Sequence, residues 1–555
     1  MSYSIKNLTY RYSEDGQNVI DNISLDIQEN AVTAVVGPSG SGKTTLVDIL
    51  SGVIPQLESN GILEGELDFG ENALISVVSQ TPEDQLFGYG VEDAIAFGME
   101  NMGTPSEEIS ERMEYVLDLL NLQYLRKRSV AALSGGQRQA VCIASVLAMN
   151  PDILIMDEPV SSLDPNGKNV VKNILNQLKI DGTTVLIVDN NLDWSAGIVD
   201  KVVGLSDGHV VFDGTRDDFF KDFELQETLG VTIPQEADVY RAIAKLDSSV
   251  GMFYNMQGAT EELDKIFEIK ETPYKPEKES PDDSFLTVHQ LNKIFEDGYH
   301  ALKDINAAFP KGKVIAIMGQ NGSGKTTLVK HLNGLYRPTT GDVRYMGESI
   351  IKKSVAKISR NIILVFQHPE HMLFEQTVFK EISFCAKMHG LEFPEEEVMA
   401  VLEQYGLKDD AETFPVNLSM GKKHLLTILS VLFSSSDVII LDEPTLGMDL
   451  FIKKQLEDII NHLKNEGKTV IIISHEIPLV FKLADEAIIL NKSEKIYDGS
   501  ISELAMRDDI FDFININLPP VVQLSKRYGF DKVCFSVEEF AEEAAKVLGK
   551  GGAEE

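Results

Sequence analysis

One nine-residue pattern occurs twice in this chain and limits its fold more than any other feature. The two copies read Gly37-Pro38-Ser39-Gly40-Ser41-Gly42-Lys43-Thr44-Thr45 and Gly319-Gln320-Asn321-Gly322-Ser323-Gly324-Lys325-Thr326-Thr327. Both match the phosphate-binding loop G-x-x-x-x-G-K-[ST], and each lies between a short apolar stretch and a helical one. The glycines let backbone N–H groups turn towards phosphate oxygens, and the helix N-terminus adds its dipole. We therefore expect Lys43 and Lys325 to bind nucleotide phosphates, and Thr44 and Thr326 to hold Mg²⁺.

The rest of the chain repeats with the same period. Matching residues lie about 285 positions apart: Leu133 and Leu418, Asp157 and Asp442, Asp164 and Asp449. The polar, proline-containing stretch between the copies is typical of an exposed linker. We predict a first domain over residues 1–268, a linker over 269–284, a second domain over 285–548 and a disordered tail over 549–555. Each domain is predicted to end in a small helical extension.

Composition narrows the class of protein. The chain has 555 residues, too many for one core, and its net charge of −37 argues against broad contact with a nucleic-acid backbone. Its three cysteines lack the spacing of a metal site and predict reduced thiols. No apolar run approaches the roughly 18 residues that span a bilayer, and the first residues lack a signal-peptide pattern. We therefore expect a cytoplasmic protein.

Strand-like and helix-like stretches alternate within each half. An opening pattern of two strands and a turn, at residues 4–27 and 286–309, precedes the phosphate loop. Strand–helix units follow the loop. This alternation predicts an α/β fold in which helices cover a mostly parallel sheet.

Two apolar stretches end in paired carboxylates. They read Ile153-Leu154-Ile155-Met156-Asp157-Glu158-Pro159 and Val438-Ile439-Ile440-Leu441-Asp442-Glu443-Pro444. Proline stops each strand, which places the acids at the sheet edge where α/β proteins bind ligands. We expect Asp157 and Asp442 beside Mg²⁺, and Glu158 and Glu443 as general bases for an attacking water.

A second anion-binding pattern precedes the first carboxylate strand. It reads Leu133-Ser134-Gly135-Gly136-Gln137, in which serine can cap the next helix and the glycines expose backbone amides. Together with the phosphate loops and the Asp-Glu-Pro ends, it resembles the nucleotide-binding domain of ATP-binding-cassette (ABC) proteins. The resemblance implies two tandem P-loop NTPase domains, each with an antiparallel β subdomain and a helical signature subdomain.

The resemblance also assigns further residues. Gln80 and Gln367 match the glutamines that reach Mg²⁺ and the attacking water, and Tyr12 and Phe295 match the aromatic residue that stacks on adenine. In this family two domains stack head to tail and enclose two ATP molecules. Each ATP lies between one domain's phosphate loop and the other domain's signature helix. A tandem chain can supply both domains itself.

The two halves depart from the family pattern unequally. The second signature reads Leu418-Ser419-Met420-Gly421-Lys422, with Met420 for glycine and Lys422 for glutamine. The histidine that senses the γ-phosphate is His475, but its counterpart in the first half is Asn190, which cannot carry a proton as imidazole does. In the head-to-tail arrangement both departures fall in the site of Lys43. The hypothesis is that the site of Lys325 and Glu443 hydrolyses ATP quickly, while the site that keeps Glu158 binds ATP and turns over slowly.

The stretches that follow the two glutamines resemble one branch of the family. They read Gln80-Thr81-Pro82-Glu83-Asp84-Gln85-Leu86-Phe87 and Gln367-His368-Pro369-Glu370-His371-Met372-Leu373-Phe374. Both resemble the ATPases of energy-coupling-factor (ECF) transporters, in which this segment contacts a transmembrane coupling subunit. The resemblance implies a peripheral ATPase on the cytoplasmic face of the membrane, with a separate membrane subunit that binds a vitamin or metal ion. The alternative is a soluble tandem ABC ATPase that acts on ribosomes or on another cytosolic complex.

Overall fold

The computed structural model describes residues 2–56, 61–70, 73–79, 85–161, 163–276, 285–296, 298–388, 390 and 394–550. The chain divides after Pro234 into two compact units, residues 1–234 and 235–555. No helix among these described residues is long and apolar enough to cross a membrane.

The first unit contains two sheets. Its strands are β1 (Ser2–Arg11), β2 (Ile20–Gln28), β3 (Val32–Val36), β4 (Ile62–Asp68), β5 (Ile75–Val78), β6 (Ile153–Asp157), β7 (Val185–Val188), β8 (Lys201–Ser206) and β9 (His209–Thr215). The larger sheet has the order β5-β6-β7-β3-β8-β9, parallel except for the β8–β9 pair. The smaller sheet, β2-β1-β4, is antiparallel. The first unit therefore has the predicted α/β core with an antiparallel β subdomain.

The helices of the first unit connect and cover these strands. They are α1 (Lys43–Leu50), α2 (Val53–Gln56), α3 (Val91–Asn101), α4 (Ser106–Leu119), α5 (Gly135–Ala148), α6 (Pro165–Asp181), α7 (Arg216–Lys221) and α8 (Phe223–Leu229). All five residues of β3 are buried, as expected for a parallel strand covered on both faces. The first phosphate loop begins directly after β3, and helix α1 begins within the motif at Lys43, so the loop lies at the carboxyl end of β3.

The second unit repeats both sheets. Its strands are β10 (Leu286–Ile294), β11 (His300–Phe309), β12 (Val314–Met318), β13 (Thr340–Tyr345), β14 (Glu348–Ser349), β15 (Ile362–Val365), β16 (Val438–Asp442), β17 (Thr469–Ile473), β18 (Glu486–Asn491) and β19 (Glu494–Ser500). The larger sheet has the order β15-β16-β17-β12-β18-β19, the same order as in the first unit. The antiparallel sheet has the order β11-β10-β13-β14. The predicted fold class is therefore confirmed in both halves.

The second unit has helices before its first strand, between its strands and after its last strand. They are α9 (Gln235–Leu246), α10 (Met256–Leu263), α11 (Lys325–Leu332), α12 (Val355–Ile358), α13 (Val378–Met388), α14 (Glu395–Gln404), α15 (Met420–Leu432), α16 (Leu450–Asn465), α17 (Ile477–Leu483), α18 (Ile501–Leu504), α19 (Asp508–Ile514), α20 (Pro520–Arg527) and α21 (Val537–Val547).

The boundary between the units differs from the predicted domain boundary at residue 268. Helices α9 and α10, predicted as the extension of the first domain, share one apolar core with the C-terminal helices: Val239, Ile243, Phe253, Val522, Phe530 and Phe540. Asp264 accepts hydrogen bonds from Arg527 Nη2 at 2.6 Å and from the Tyr528 hydroxyl at 2.9 Å. Burial of these apolar side chains, which sequence order does not reveal, places the extension in the second unit.

The predicted disordered tail and the predicted linker lie partly within the described residues. Lys550 donates a hydrogen bond to the Leu246 carbonyl, so the chain remains in contact with α9 up to this residue. The remainder of the predicted tail, residues 551–555, lies outside the described residues, as do residues 277–284 of the predicted linker.

Candidate functional site

Each unit builds its candidate nucleotide site from the loops at the carboxyl edge of its larger sheet. The first nucleotide site comprises the phosphate loop 37–45 with Asp157, Glu158 and Asn190. The second comprises the phosphate loop 319–327 with Asp442, Glu443 and His475. Parallel pairing brings these residues together, since Asp157 is level with Val188 and Asp442 with Ile473 on the neighbouring strand.

The two phosphate loops have the same backbone. Gly42 and Gly324 adopt positive φ angles of 98° and 105° just before their helices, where an L side chain would be strained. A Cβ on Gly37 would lie 2.1 Å from the Leu205 carbonyl oxygen, so only glycine fits there. The lysines fold back over the loops: Lys43 Nζ donates to Gly37 O at 2.5 Å, and Lys325 Nζ donates to Gly319 O at 2.8 Å. Each ammonium group therefore lies over the cradle in which phosphates are predicted to bind.

A buried hydroxyl lines each loop. Ser41 Oγ and Ser323 Oγ are buried at matching positions and have no hydrogen-bond partner within the described residues. A buried hydroxyl without a partner is costly unless a ligand atom satisfies it. A phosphate oxygen would do so, and this observation favours phosphate binding at both loops.

The two glutamates after the carboxylate strands have strained backbones. Glu158 and Glu443 adopt positive φ angles of 42° and 49°. Their N–H groups donate to carbonyls of the adjacent strand, Val188 O at 2.8 Å and Ile473 O at 2.9 Å. Left-handed backbone at non-glycine residues concentrates at functional sites, where the surrounding structure holds it. The positive φ therefore marks each glutamate as a candidate functional residue at the strand end.

Burial changes the acidity of the carboxylates. It raises the pKa of Asp157 to about 6 and that of Glu158 to about 7, and the charge of Asp189 adds to both shifts. Burial likewise raises the pKa of Asp442 and of Glu443. A raised pKa suits a general base, because it brings proton affinity closer to that of the reacting water.

The second residue after β17, His475, contacts the predicted base of the second site. His475 Nε2 lies 3.0 Å from Glu443 Oε1 and 3.1 Å from Asn321 Oδ1 of the phosphate loop. The backbone N–H of His475 donates to Glu443 Oε2 at 3.2 Å. The loop thus orients the carboxylate of Glu443 through its backbone and offers an imidazole beside it.

The matching residue after β7 makes a different contact. Asn190 Oδ1 accepts a hydrogen bond from the Gly37 N–H, the first amide of the phosphate loop, at 2.8 Å. The side chain of Asn190 is therefore bound to backbone, while that of His475 is directed to the predicted base and loop.

The two signature segments also differ in their helix caps. Ser134 Oγ accepts from Gln137 N at 3.3 Å, and Gln137 Oε1 accepts from Ser134 N at 3.1 Å, which completes a capping box. In the second unit Ser419 Oγ accepts from Lys422 N at 3.5 Å, but a lysine side chain cannot return the bond. Lys422 Nζ instead pairs with Asp410 at 2.8 Å.

Met420 of the second signature packs closely against Gly447. A Cβ on Gly447, whose φ is +70°, would lie 2.8 Å from Met420 Cγ. The absence of a side chain at residue 447 thus leaves room for Met420. Gly421, the remaining signature glycine, packs as closely on the Gly447 carbonyl oxygen, to which a Cβ would come within 2.6 Å.

Two of the predicted magnesium ligands of the second site lie together, and the third follows a neighbouring strand. Thr326 Oγ1 lies 3.4 Å from Asp442 Oδ1. Gln367 follows β15 by two residues, and β15 pairs with the Asp442 strand. A hydroxyl, a carboxylate and an amide oxygen are hard ligands of the kind that Mg²⁺ prefers. In the first site Thr44 and Asp157 occupy the matching positions, while Gln80 lies outside the described residues.

The predicted adenine platforms differ in exposure and contacts. Tyr12 is 44% exposed, and its hydroxyl lies 3.1 Å from Thr45 Oγ1 of the phosphate loop. Phe295 packs edge-on against Tyr336, with Lys293 Nζ 5.3 Å from its ring centroid. An exposed tyrosine beside the loop can stack on a purine.

Sequence reasoning missed two residues beside the first site, Asp189 and Trp194. Asp189 accepts a hydrogen bond from the Trp194 indole at 3.0 Å. Asn321 was predicted as part of the phosphate loop, but its contact with His475 was not. The signal was present for Asp189, because its counterpart under the repeat is Ser474, and an unmatched buried acid beside two others is unusual.

Comparisons with known proteins agree with this geometry. The family model described as "ABC transporter" matches residues 20–161 and 302–446. A provisionally described ABC transporter ATP-binding protein of Caldanaerobacter subterraneus is 32% identical, over 96% of this chain and 97% of its own length. A Bacillus subtilis protein provisionally described as the HMP/thiamine import ATP-binding protein YkoD is 30% identical, over 90% of this chain and 92% of its own length. The chain therefore belongs to the ABC transporter family, and it is an ATP-binding ATPase of that family.

A solved structure matches most of the chain at lower identity. The archaeal ribosome recycling factor aABCE1, in a complex with the ribosomal stalk protein aP1, superimposes with a TM-score of 0.57 and 19% identity, over 91% of this chain and 92% of its own. At this identity the likeness supports the tandem fold and says nothing of a ribosomal role.

Proposed function

We propose that this chain is the ATPase of an ECF-type importer, which couples ATP hydrolysis to uptake of a vitamin or transition-metal ion through membrane partner subunits. The observation that carries the proposal is an exposed aromatic surface after each predicted glutamine. The similarity to a protein described as an HMP/thiamine import ATPase points in the same direction. The chain would work at the cytoplasmic face of the membrane, held there by its partners.

The aromatic surface of the first unit is formed by Phe87, Tyr89 and Phe97. Their exposed fractions are 53%, 93% and 41%, and the rings of Phe87 and Phe97 stack with centroids 4.9 Å apart. In the second unit Phe374, 59% exposed, packs edge-on against Phe384 at 4.5 Å. Rigid, exposed aromatic side chains are typical anchors of protein interfaces. A helix of a membrane partner fits such a surface.

We further propose that the two nucleotide sites divide the work. In the second site Glu443 takes the proton of the attacking water, while His475 orients Glu443 and contacts the γ-phosphate. In the first site Asn190 is bound to the phosphate loop, so ATP is held there and hydrolysed slowly or not at all.

Magnesium fits both sites as a partner of ATP. Thr326, Asp442 and Gln367 would hold it in the second site, and Thr44, Asp157 and Gln80 in the first. When bound, Mg²⁺ would neutralise charge on the phosphate oxygens while the γ-phosphoryl group is transferred to water. The protein's own contribution is to fix the phosphates with Lys325 and the loop amides and to exclude competing water.

Affinity purification from detergent-solubilised native membranes tests the transport role. We expect the tagged chain to recover a multi-span membrane protein and a small hydrophobic binding subunit, identified by mass spectrometry. The double variant Phe87→Ala with Tyr89→Ala should recover at least about fivefold less, since loss of even one interface hot spot, for which aromatic residues are favoured, costs about 1 kcal/mol or more. The matched control is Tyr124→Ala, which removes another exposed tyrosine of the first unit, 61% exposed.

Two outcomes would contradict the proposal. Equal recovery by the double variant and the control would show that the aromatic surface is not the docking site. Recovery of ribosomal proteins without any membrane protein would replace the transport role with the ribosomal alternative, while the ATPase assignment would stand.

A further inference from the structure

The loop that follows β7 in the first unit contains a buried hydrogen bond between an indole and a carboxyl group, and the predicted mechanism does not use it. Trp194 Nε1 donates to Asp189 Oδ2 at 3.0 Å, and the backbone N–H of Asn191 donates to Asp189 Oδ1 at 2.7 Å. Asp189 is 6% exposed and Trp194 5% exposed. A carboxylate this deeply buried requires partners for both oxygens, and the indole supplies one of them.

The same loop is fastened on two further sides. Asn190 Oδ1 accepts from the Gly37 N–H at 2.8 Å. On the other side, Thr232 N–H donates to Asn190 O, and Leu192 N–H donates to Thr232 O, each at 2.8 Å. Asn190, the counterpart of His475, is therefore held by the phosphate loop and by Thr232, and the Asp189–Trp194 pair lies directly beside it.

The second unit lacks this arrangement because two side chains differ. Ser474 and Leu479 occupy the positions of Asp189 and Trp194. Within the part of the chain that the structure describes, Ser474 Oγ accepts from the nearby Glu476 N–H at 3.1 Å, and a leucine side chain has no group to donate. His475 between them is directed to Glu443 and Asn321 instead of to the first loop amide.

We propose that Asp189 and Trp194 are positioning residues that hold Asn190 on the phosphate loop, so that ATP bound at the first site is retained. The inference rests on the proposed division of work between the sites. Fixing the loop before ATP arrives removes the cost of ordering it on binding, and it slows the opening needed for release. An asparagine amide held by backbone also cannot exchange protons with the γ-phosphate or with water.

Release of ATP from the first site tests this inference in the full-length chain. A Glu443→Gln parent suppresses turnover at the second site, and ATP labelled separately on its α- and γ-phosphates shows whether bound nucleotide is intact. We expect one intact ATP per chain to leave slowly. Trp194→Phe, which keeps an aromatic ring but loses the N–H, should speed that release about tenfold, the scale of one buried hydrogen bond to a charged group.

Two further variants separate positioning from general damage. Asp189→Ser should speed release about as much as Trp194→Phe, and the double variant no more than either, because both remove one interaction. Asp189→Asn keeps one acceptor oxygen and should recover part of the retention. Leu479→Met is the matched control at the corresponding position of the second unit, and it should leave release from the first site unchanged.

The outcomes distinguish the two proposals. Rapid conversion of the bound ATP to ADP in the parent would overturn the division of work itself. Intact, slowly released ATP whose release rate changes less than about twofold in Trp194→Phe and in Asp189→Asn would overturn the positioning role alone. If Trp194→Phe fails to fold, the size-preserving Asp189→Asn decides the matter by the same threshold.

Discussion

The two nucleotide sites of this chain have the same backbone arrangement but differ in the side chains that surround the phosphate loop. Both place a phosphate loop, a strand-end aspartate and a strained glutamate at the same sheet edge. After the next strand they diverge, since His475 contacts Glu443 while Asn190 contacts the phosphate loop. Buried apolar strands keep the loops in place, and a few polar side chains differ between the two sites. Under the proposed division of work, these side chains decide whether a site hydrolyses ATP or only binds it.

Removing the imidazole should separate the sites most clearly. His475→Ala removes the group beside Glu443, and we expect steady-state ATP hydrolysis to fall about 100-fold, within the range for an acid–base or orienting group. Asn190→Ala should change it less than about twofold. Both rates are measured by phosphate release at saturating MgATP. A comparable fall in both variants would mean that the residues have equivalent roles.

Acid should reveal a second difference, in the signature helices. His424 of α15 is fully buried, burial lowers its pKa to about 4, and neither ring nitrogen has a hydrogen-bond partner among the described residues. Since a depressed histidine pKa favours the unfolded state as pH falls below about 6.5, stability should drop by about 2 kcal/mol between about pH 7 and about pH 5.

The control for this effect comes from the first unit. Gln139 occupies the position of His424 under the repeat, so His424→Gln should remove that part of the pH dependence. Urea unfolding of both proteins at several pH values measures it. Parallel pH profiles for the wild type and the variant would show that His424 is not the responsible group.

The helix caps predict the smallest difference. Ser134→Ala breaks a complete capping box and should lower unfolding stability of the first unit by about 1 kcal/mol. Ser419→Ala breaks a single, longer bond and should cost about half as much in the second unit. Hydrogen exchange in α5 and α15 reports each unit separately. A larger effect of Ser419→Ala would contradict the cap geometry.

Sequence patterns predicted the parts of this molecule that depend on local order. Each phosphate loop directly follows a buried strand. The carboxylate pairs lie at the ends of two further buried strands: Asp157 with Glu158, and Asp442 with Glu443. The strand register alone therefore brings loops and carboxylates to one edge. The partners of Asn190 and Asp189 could not be predicted, because Gly37 and Trp194 meet them through tertiary packing.

The extension and the head-to-tail pairing show the same limit. The apolar residues of helix α9 do not show from the sequence which core they join. The packed structure assigns them to the core of the second unit. The pairing of each phosphate loop with the signature of the other half stays a prediction of the family resemblance, as do the individual roles of the site residues.

Neutralising the two predicted bases one at a time compares the hydrolytic contribution of the two nucleotide sites. Glu443→Gln and Glu158→Gln keep size and remove the proton-accepting charge at the matching position of each site. Steady-state ATP hydrolysis is measured for both in the full-length chain, with equal nucleotide binding verified first. We expect Glu443→Gln to lower the rate at least about 100-fold and Glu158→Gln to lower it less than about twofold. Equal losses in the two variants would contradict the division of work between the sites.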